Sequence, residues 1–333
     1  MRENSPTPVL VTGGTGFIGS HLVERLAEGG ARVRCLVRRK SSLAYLPTDR
    51  IELAYGELAT GEGLKEAVEG VRTVYHVAGV TKSNAVERYY TGNATATGNL
   101  LGAIEAARQK PSRLVHVSSL AAVGPSVDGV PLTEDAEPRP LTHYGKSKLE
   151  AERMVRSSAF ADRTVIVRPP VVYGPRDTDV YLVFRSASRG VALRIGSGES
   201  YFSFIFVSDL VEMLMAAAVA EGAAGRTYFA GNPEPASWGQ FNAAVAKLAG
   251  RKLHTVSVPP AVALTLAFFS ELNSRLRGSQ SILSREKVRE AQCRSWVVNT
   301  GRAERELEFQ TRTPLEDGVA RTFAWYKDAG WVS

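Results

Sequence analysis

Cysteine is scarce in this 333-residue chain, with only Cys35 and Cys293. Two thiols cannot build the disulfide framework of small extracellular folds, which favours a reducing compartment. Long apolar runs are missing as well, and none approaches the roughly 18 residues of a spanning helix. The opening MRENSPTP has no apolar h-region, so a cytoplasmic location is expected. His21, His76, His116, His143 and His254 stand at no metal-ligand spacing, and no metal is expected. Runs of like charge are absent too. The net +7 divides into +2 over 1–150, +1 over 151–250 and +4 over 251–333. That spread argues against a nucleic-acid stripe. The one local exception is Arg32, Arg34, Arg38, Arg39 and Lys40. With 44% apolar and 23% charged residues, the composition is that of an ordinary globular protein.

What the chain does have is alternation. Segments 9–12, 32–37, 51–55, 73–77, 114–118 and 164–168 are short, β-branched and bounded by polar residues or glycine, as strands are. Between them, 17–28, 63–69 and 93–108 show helical periodicity, with Ile18, Leu22 and Leu26 one turn apart. Gly29 and Gly30 supply a helix stop. This order predicts an α/β fold, a doubly wound parallel sheet with helices on both faces. After residue 168 the pattern breaks. Prolines, glycines and aromatics scatter through 169–203, 207–220 reads as an apolar helix and 227–230 as a further strand. Beyond 233, prolines punctuate helices without clear strand alternation. Residues 1–168, with 204–232 returning to them, are read as the sheet domain. Residues 169–203 and 233–333 form a smaller, mostly helical capping part.

The first strand runs straight into Gly13-Gly14-Thr15-Gly16-Phe17-Ile18-Gly19 and a helix. Gly13, Gly16 and Gly19 suit a tight turn, close backbone approach to a pyrophosphate, and close helix–sheet packing. Amides at the helix start would face the phosphates. Ser20-His21 follows where a mononucleotide loop needs Lys-Ser/Thr, which excludes that alternative. The expected ligand is therefore a dinucleotide, held by a Rossmann-type domain. Its kind depends on the end of the second strand. An acid there would hold a ribose hydroxyl, but the residues are Arg38-Arg39-Lys40. Arg38 can pair with a 2′-phosphate, so NADP is expected ahead of NAD.

Tyr144 and Lys148 sit one helical turn apart, which places phenol and ammonium side by side. A Tyr-x-x-x-Lys pair arises by chance about 0.3 times in such a composition, so position must add weight. The pair follows a strand ending in Ser118-Ser119, at the carboxyl edge where α/β sheets bind ligands. A phenol titrates near 10, and two nearby cations, Lys148 and an oxidised nicotinamide, are expected to lower it for acid–base work.

TGGTGFIG at 12–19, HVAG at 76–79, SSLAAVG at 118–124, YGKSK at 144–148, RPPVVYGP at 168–175 and the closing 316–331 occur in a familiar order. In these the chain resembles an extended short-chain dehydrogenase/reductase, from about residue 9 to 332. The resemblance implies Tyr144 as proton donor or acceptor, Lys148 on the nicotinamide ribose and Ser119 on the substrate oxygen. It further implies adenine contacts at Glu57 and Leu58, where the family usually has Asp-Leu. Ala78 and Gly79 would lie along the cofactor, Asn93 and Ser118 beside it, and Pro169 to Val172, including Val171, around the nicotinamide. A homodimer is common in the family.

Members acting on nucleotide sugars usually carry an Asn where this chain has Val171, and an Arg where it has Phe202. Without both, a diphosphate would be poorly paired and costly to bury. The chain is similar instead to dihydroflavonol reductases and 3β-hydroxysteroid dehydrogenases, which implies a small hydrophobic ketone or alcohol. Phe202, Phe204, Phe206, Tyr181 and Phe184 are candidates to line its pocket, core packing being the alternative for each. A nucleotide-sugar epimerase or dehydratase is the second reading. A non-catalytic dinucleotide-sensing regulator is the third, and those typically lack the Tyr/Lys pair. Residues 261–269 with the basic flank to 289 read as a lid helix, or else as a surface resting on a membrane.

Overall fold

The structure, a computed structural model, describes residues 7–277 and 284–332. Its first strands are β1 (Val9–Thr12), β2 (Val33–Val37), β3 (Glu52–Tyr55), β4 (Thr73–His76), β5 (Arg113–Val117), β6 (Thr164–Arg168) and β7 (Val171–Tyr173). Then come β8 (Val191–Ile195), β9 (Tyr201–Phe202), β10 (Phe204–Phe206), β11 (Thr227–Phe229), β12 (Ala236–Ser237), β13 (His254–Val258) and β14 (Ser295–Trp296). Seven of them make one sheet in the order β11-β6-β5-β4-β1-β2-β3, and every pairing in it is parallel.

The sequence explains this choice. β1, β4 and β6 are buried at every position, as strands covered on both faces must be. Helices α1 (Phe17–Glu28), α2 (Leu64–Val68), α3 (Val86–Tyr90), α4 (Ala96–Ala106), α5 (His143–Ser157), α6 (Tyr181–Ala187) and α7 (Val207–Val219) follow in chain order. One face packs on α1 and α7 through Leu22, Val23, Leu210 and Leu214. The other packs on α2, α4 and α5 through Leu64, Leu100, Leu101 and Val155. Each such side chain contributes roughly 1.5–3 kcal/mol on burial. Strand order reverses at β1, between β4 and β2, so the ligand crevice lies beyond the carboxyl ends of these strands.

The rest comprises α8 (Trp238–Leu248), α9 (Pro260–Arg277), α10 (Arg285–Gln292), α11 (Gly301–Leu307) and α12 (Leu315–Asp328), with small sheets β10-β7, β12-β9-β14 and β13-β8. Strands therefore do occur beyond residue 233. β12 and β14 are two residues long, and β13 is exposed at four of five positions, so no apolar alternation marks them. Residues 91–95 form a π-helical turn ahead of α4, where helical periodicity suggested a plain α-helix from 93.

The aromatic candidates divide. Phe184, Phe204 and Phe206 are no more than 1% exposed, packed with Tyr173, Phe241 and Tyr326 in a core of their own. They hold α6, α8 and α12 together and cannot line a pocket. Phe202 and Tyr181 are only partly buried, and the Tyr181 hydroxyl donates to the Trp331 carbonyl at 2.8 Å.

Candidate active site

At the switch point the glycine loop meets the end of β4. Gly13 has φ +74°, and a Cβ there would lie 2.6 Å from the Ala78 backbone. A Cβ on Gly19 would collide with the Gly13 carbonyl. These glycines let the loop backbone close on itself and on the end of β4, a cradle whose curvature a side chain at either position would disrupt. Gly16 caps α1 and has no side chain to bond its first-turn amides. Those donors, at the positive end of the helix, suit a pyrophosphate. Thr15, Phe17 and Ile18 stand half-buried around the loop.

Other predicted cofactor residues fall around the same crevice. Glu57 and Leu58 follow β3, with the Leu58 carbonyl held by the Asn99 amide at 2.8 Å. Arg38 lies just past β2 and is exposed. The basic cluster around it is not one unit. Arg34 is committed to Glu52 at 2.8 Å and to the last carbonyls of α2, while Arg39 lies over the Tyr55 ring at 5.5 Å.

Asn93 sits in the π-turn and is 1% exposed. Its amide clasps Val80, accepting from the Val80 N–H at 2.7 Å and donating to its carbonyl at 3.1 Å. The same amide donates to Ser147 at 2.9 Å, which ties the turn to α5. Below it, Thr97 donates to the Asn93 carbonyl at 2.6 Å. Having one proton, the Thr97 hydroxyl must accept from His76 Nε2 at 3.0 Å. His76 Nδ1 then accepts from Thr12 at 2.7 Å, which fixes the tautomer.

α5 is started by Thr142, whose hydroxyl accepts from the Gly145 N–H at 3.1 Å. A Cβ on Gly145 would collide with the Ala121 carbonyl, so the small residue in YGKSK lets the helix close on the turn after Ser119. Ser119 caps that turn and hydrogen-bonds the Tyr144 phenol. The expected phenol is thus in contact with the expected serine. Lys148 is buried, and its ammonium donates to the Val117 carbonyl at 2.6 Å. Gly79 faces it, a Cβ there falling 3.7 Å from Nζ. Burial pushes Lys148 down to about 8, partly opposed by Glu152.

Tyr144 departs from the expectation of a lowered phenol. Burial above all pushes it up to about 12, and the charges of Glu290 and Asp179 add to this against the Ser119 hydrogen bond. With Lys148 turned to a backbone carbonyl, the phenol stays protonated and can serve as a proton donor. Ser118 points the other way. Its hydroxyl donates to Glu152 at 2.5 Å, and Glu152 is clasped by Arg168 at 2.7 and 2.9 Å. Pro169 accepts the Leu120 N–H at 2.8 Å, and Val171 and Val172 open β7.

Sequence reading missed the groups at the mouth. Glu286 accepts the His143 N–H at 3.0 Å, and Glu290 accepts from Thr142 at 3.3 Å. Both project from α10 onto the start of α5, and their i, i+4 spacing was the available signal. Lys82 pairs with Asp179, and Tyr89 stands 6.4 Å from the Tyr144 ring. Among the described residues no cluster could hold a metal ion.

Comparison with known proteins agrees with this geometry. The model of the NAD dependent epimerase/dehydratase family matches residues 9–231. The chain belongs to that family. It is 31% identical over 339 residues to a ceramide reductase of Caulobacter vibrioides, covering 100% of this chain and 98% of that one. It is 28% identical to sterol demethylase protein B of Methylococcus capsulatus, covering 97% and 99%. Among solved structures it is similar to MoeE5 in complex with UDP-glucose and NAD, with 29% identity, TM-score 0.76 and coverage of 97% and 99%. The protein is accordingly an NAD(P)-binding oxidoreductase of the short-chain dehydrogenase/reductase type, acting on CH–OH or C=O.

Proposed function

We propose that this enzyme is an NADP-dependent, cytoplasmic reductase of a hydrophobic ketone, steroid-like or lipid-like in character. The observation that carries the substrate class is the pair of partly buried apolar side chains Val171 and Phe202. Phe202 packs on a buried cluster of Leu120, Val123, Phe229, Trp296 and Val298 behind Ser119. Both bring apolar side chains where a diphosphate would need donors. The ceramide and sterol relatives support the same reading.

When bound, the nicotinamide supplies the hydride that reduces the carbonyl carbon. The cradle of Gly13, Gly16 and Gly19 would hold its pyrophosphate, and Lys148 its ribose. Exposed Arg38, with no carboxylate at the end of β2, supports a 2′-phosphate over a free ribose hydroxyl. Ser119 hydrogen-bonds the carbonyl oxygen, and neutral Tyr144 donates the proton that oxygen needs as charge develops on it.

The test is nicotinamide absorbance with NADPH or NADH and a panel of steroid ketones, long-chain keto lipids and UDP-sugars. Net NADPH consumption with a ketone, at least about tenfold weaker with NADH, is expected. Tyr144→Phe should lower turnover about 10²–10⁴-fold while cofactor affinity is kept. A UDP-sugar converted without net loss of cofactor would overturn the substrate class. Full turnover by the phenylalanine variant would remove Tyr144 from its role.

A further inference from the structure

Beyond the crevice, β8, β13, α9 and α10 build a small lobe. Its core is slight: Ala263, Ala267 and Val288, with Ile195, Val258 and Leu264 against them. The opposite side of α9 is apolar as well. Val262, Leu266 and Phe269 recur at i, i+4 and i+7, with Phe268 and Leu272 beside them, all 45–59% exposed. An amphipathic helix of a globular protein reserves that side for polar groups. On the adjoining ribbon Leu193 and Val256 are register partners, 68% and 50% exposed. By strand alternation they share the face through which Ile195 and Val258 enter the lobe's core. Folding does not account for so many exposed apolar side chains in one place, and such patches mark interaction surfaces.

Charge selects the occupant. The carboxylates of α9 and α10 are taken up by protein partners: Glu271 by Arg285, Glu286 by the start of α5, Glu290 by Thr142. Arg189, Arg251, Lys252 and Arg289 are exposed. The His254 N–H bonds the Gly190 carbonyl, which gathers Arg189, Arg251 and Lys252 at one end of the ribbon. A second copy of the chain would bring like charges together across the patch. An anionic bilayer meets both features, its acyl boundary taking the Leu and Phe side chains and its headgroups the cations.

We propose that this face docks on the surface of an anionic lipid bilayer. α10 touches the start of the helix carrying Tyr144, so docking would hold the active-site mouth at the membrane. Uptake of a lipophilic ketone from the bilayer rests on the function proposed above; docking itself does not.

Flotation with vesicles of phosphatidylglycerol mixed with phosphatidylcholine tests it, using the full chain with NADP. The wild type should float, and phosphatidylcholine alone or high salt should weaken binding roughly tenfold or more. The doubly substituted Leu266→Glu/Phe269→Glu protein should stay in solution, with unchanged Tm and unchanged cofactor affinity. A wild type that never floats overturns the proposal, as does equal flotation by the double variant. So does a wild-type dimer that stays in solution and becomes monomeric in that variant, since the patch is then a contact between copies. Flotation without turnover of any ketone would overturn the substrate class and leave docking intact.

Discussion

β1 carries Val9, Leu10 and Val11 at no more than 2% exposure, whereas α9 carries Val262, Leu266 and Phe269 at 48–59%. Both segments are apolar, yet only the first is explained by a sheet that must be covered on two faces. The lobe shelters a few small residues and turns its larger ones outward. Polar groups show the same contrast. In the sheet, His76 is held neutral between two threonines. In the lobe, Glu286 and Glu290 reach out of their own element to fasten the start of α5. Apolar residues thus report a core in one region and a surface with an external counterpart in the other.

Four substitutions sharpen the contrast. Gly19→Ala should be most severe, because its methyl group collides with the Gly13 carbonyl. A cost of about 3 kcal/mol is expected in the cofactor-bound state, seen as roughly hundred-fold weaker binding by calorimetry. Unchanged affinity would show that the loop yields and the cradle is no constraint.

The second works through pH. Burial pushes His76 down to about 3, so its contribution to stability is present above about 6.5 and lost as pH falls. Burial pushes Glu290 up to about 7, so its contribution is present below about 4.5 and lost as pH rises through 7. Between those limits the two slopes oppose each other. Glu290→Gln should therefore steepen the fall of stability from pH 6.5 to 4.5 by about 1.4 kcal/mol per pH unit. Parallel denaturation profiles would show that Glu290 carries no such linkage.

The smallest effect is expected at Leu266→Ser, a change in stability under about 0.5 kcal/mol. Ala267→Ser, one position along on the buried side, should cost about 1–3 kcal/mol for an unpaired hydroxyl. Equal melting shifts would mean that the two sides of α9 are not distinct.

The sheet could be read in advance because its chemistry is local. Gly13 and Gly19 stand where backbone approaches backbone, and β-branched runs recur at strand spacing. The meeting of Ser119 and Tyr144 was equally readable, since one helix start and one strand end position it. The direction of the Tyr144 shift was not. It depends on α10, more than 140 positions away in sequence, and on Lys148 turning to a backbone carbonyl. β13 escaped notice because its HTVSV pattern faces solvent on both sides. Phe204 and Phe206 looked like pocket residues until the packing of α8 and α12 enclosed them.

Tyr144, Lys148 and Glu152 occupy successive turns of α5, and Glu152 grips Arg168 at the end of β6 and Ser118 at the end of β5. A buried pair of this kind adds little net stability. Its effect is angular. Each residue along a helix advances the side-chain direction by about 100°, so a slip of one position would swing the phenol out of the crevice. The Glu152–Arg168 pair works as the key in a keyed shaft: α5 can seat on the sheet at a single rotation, and that rotation sets the Tyr144 phenol against Ser119.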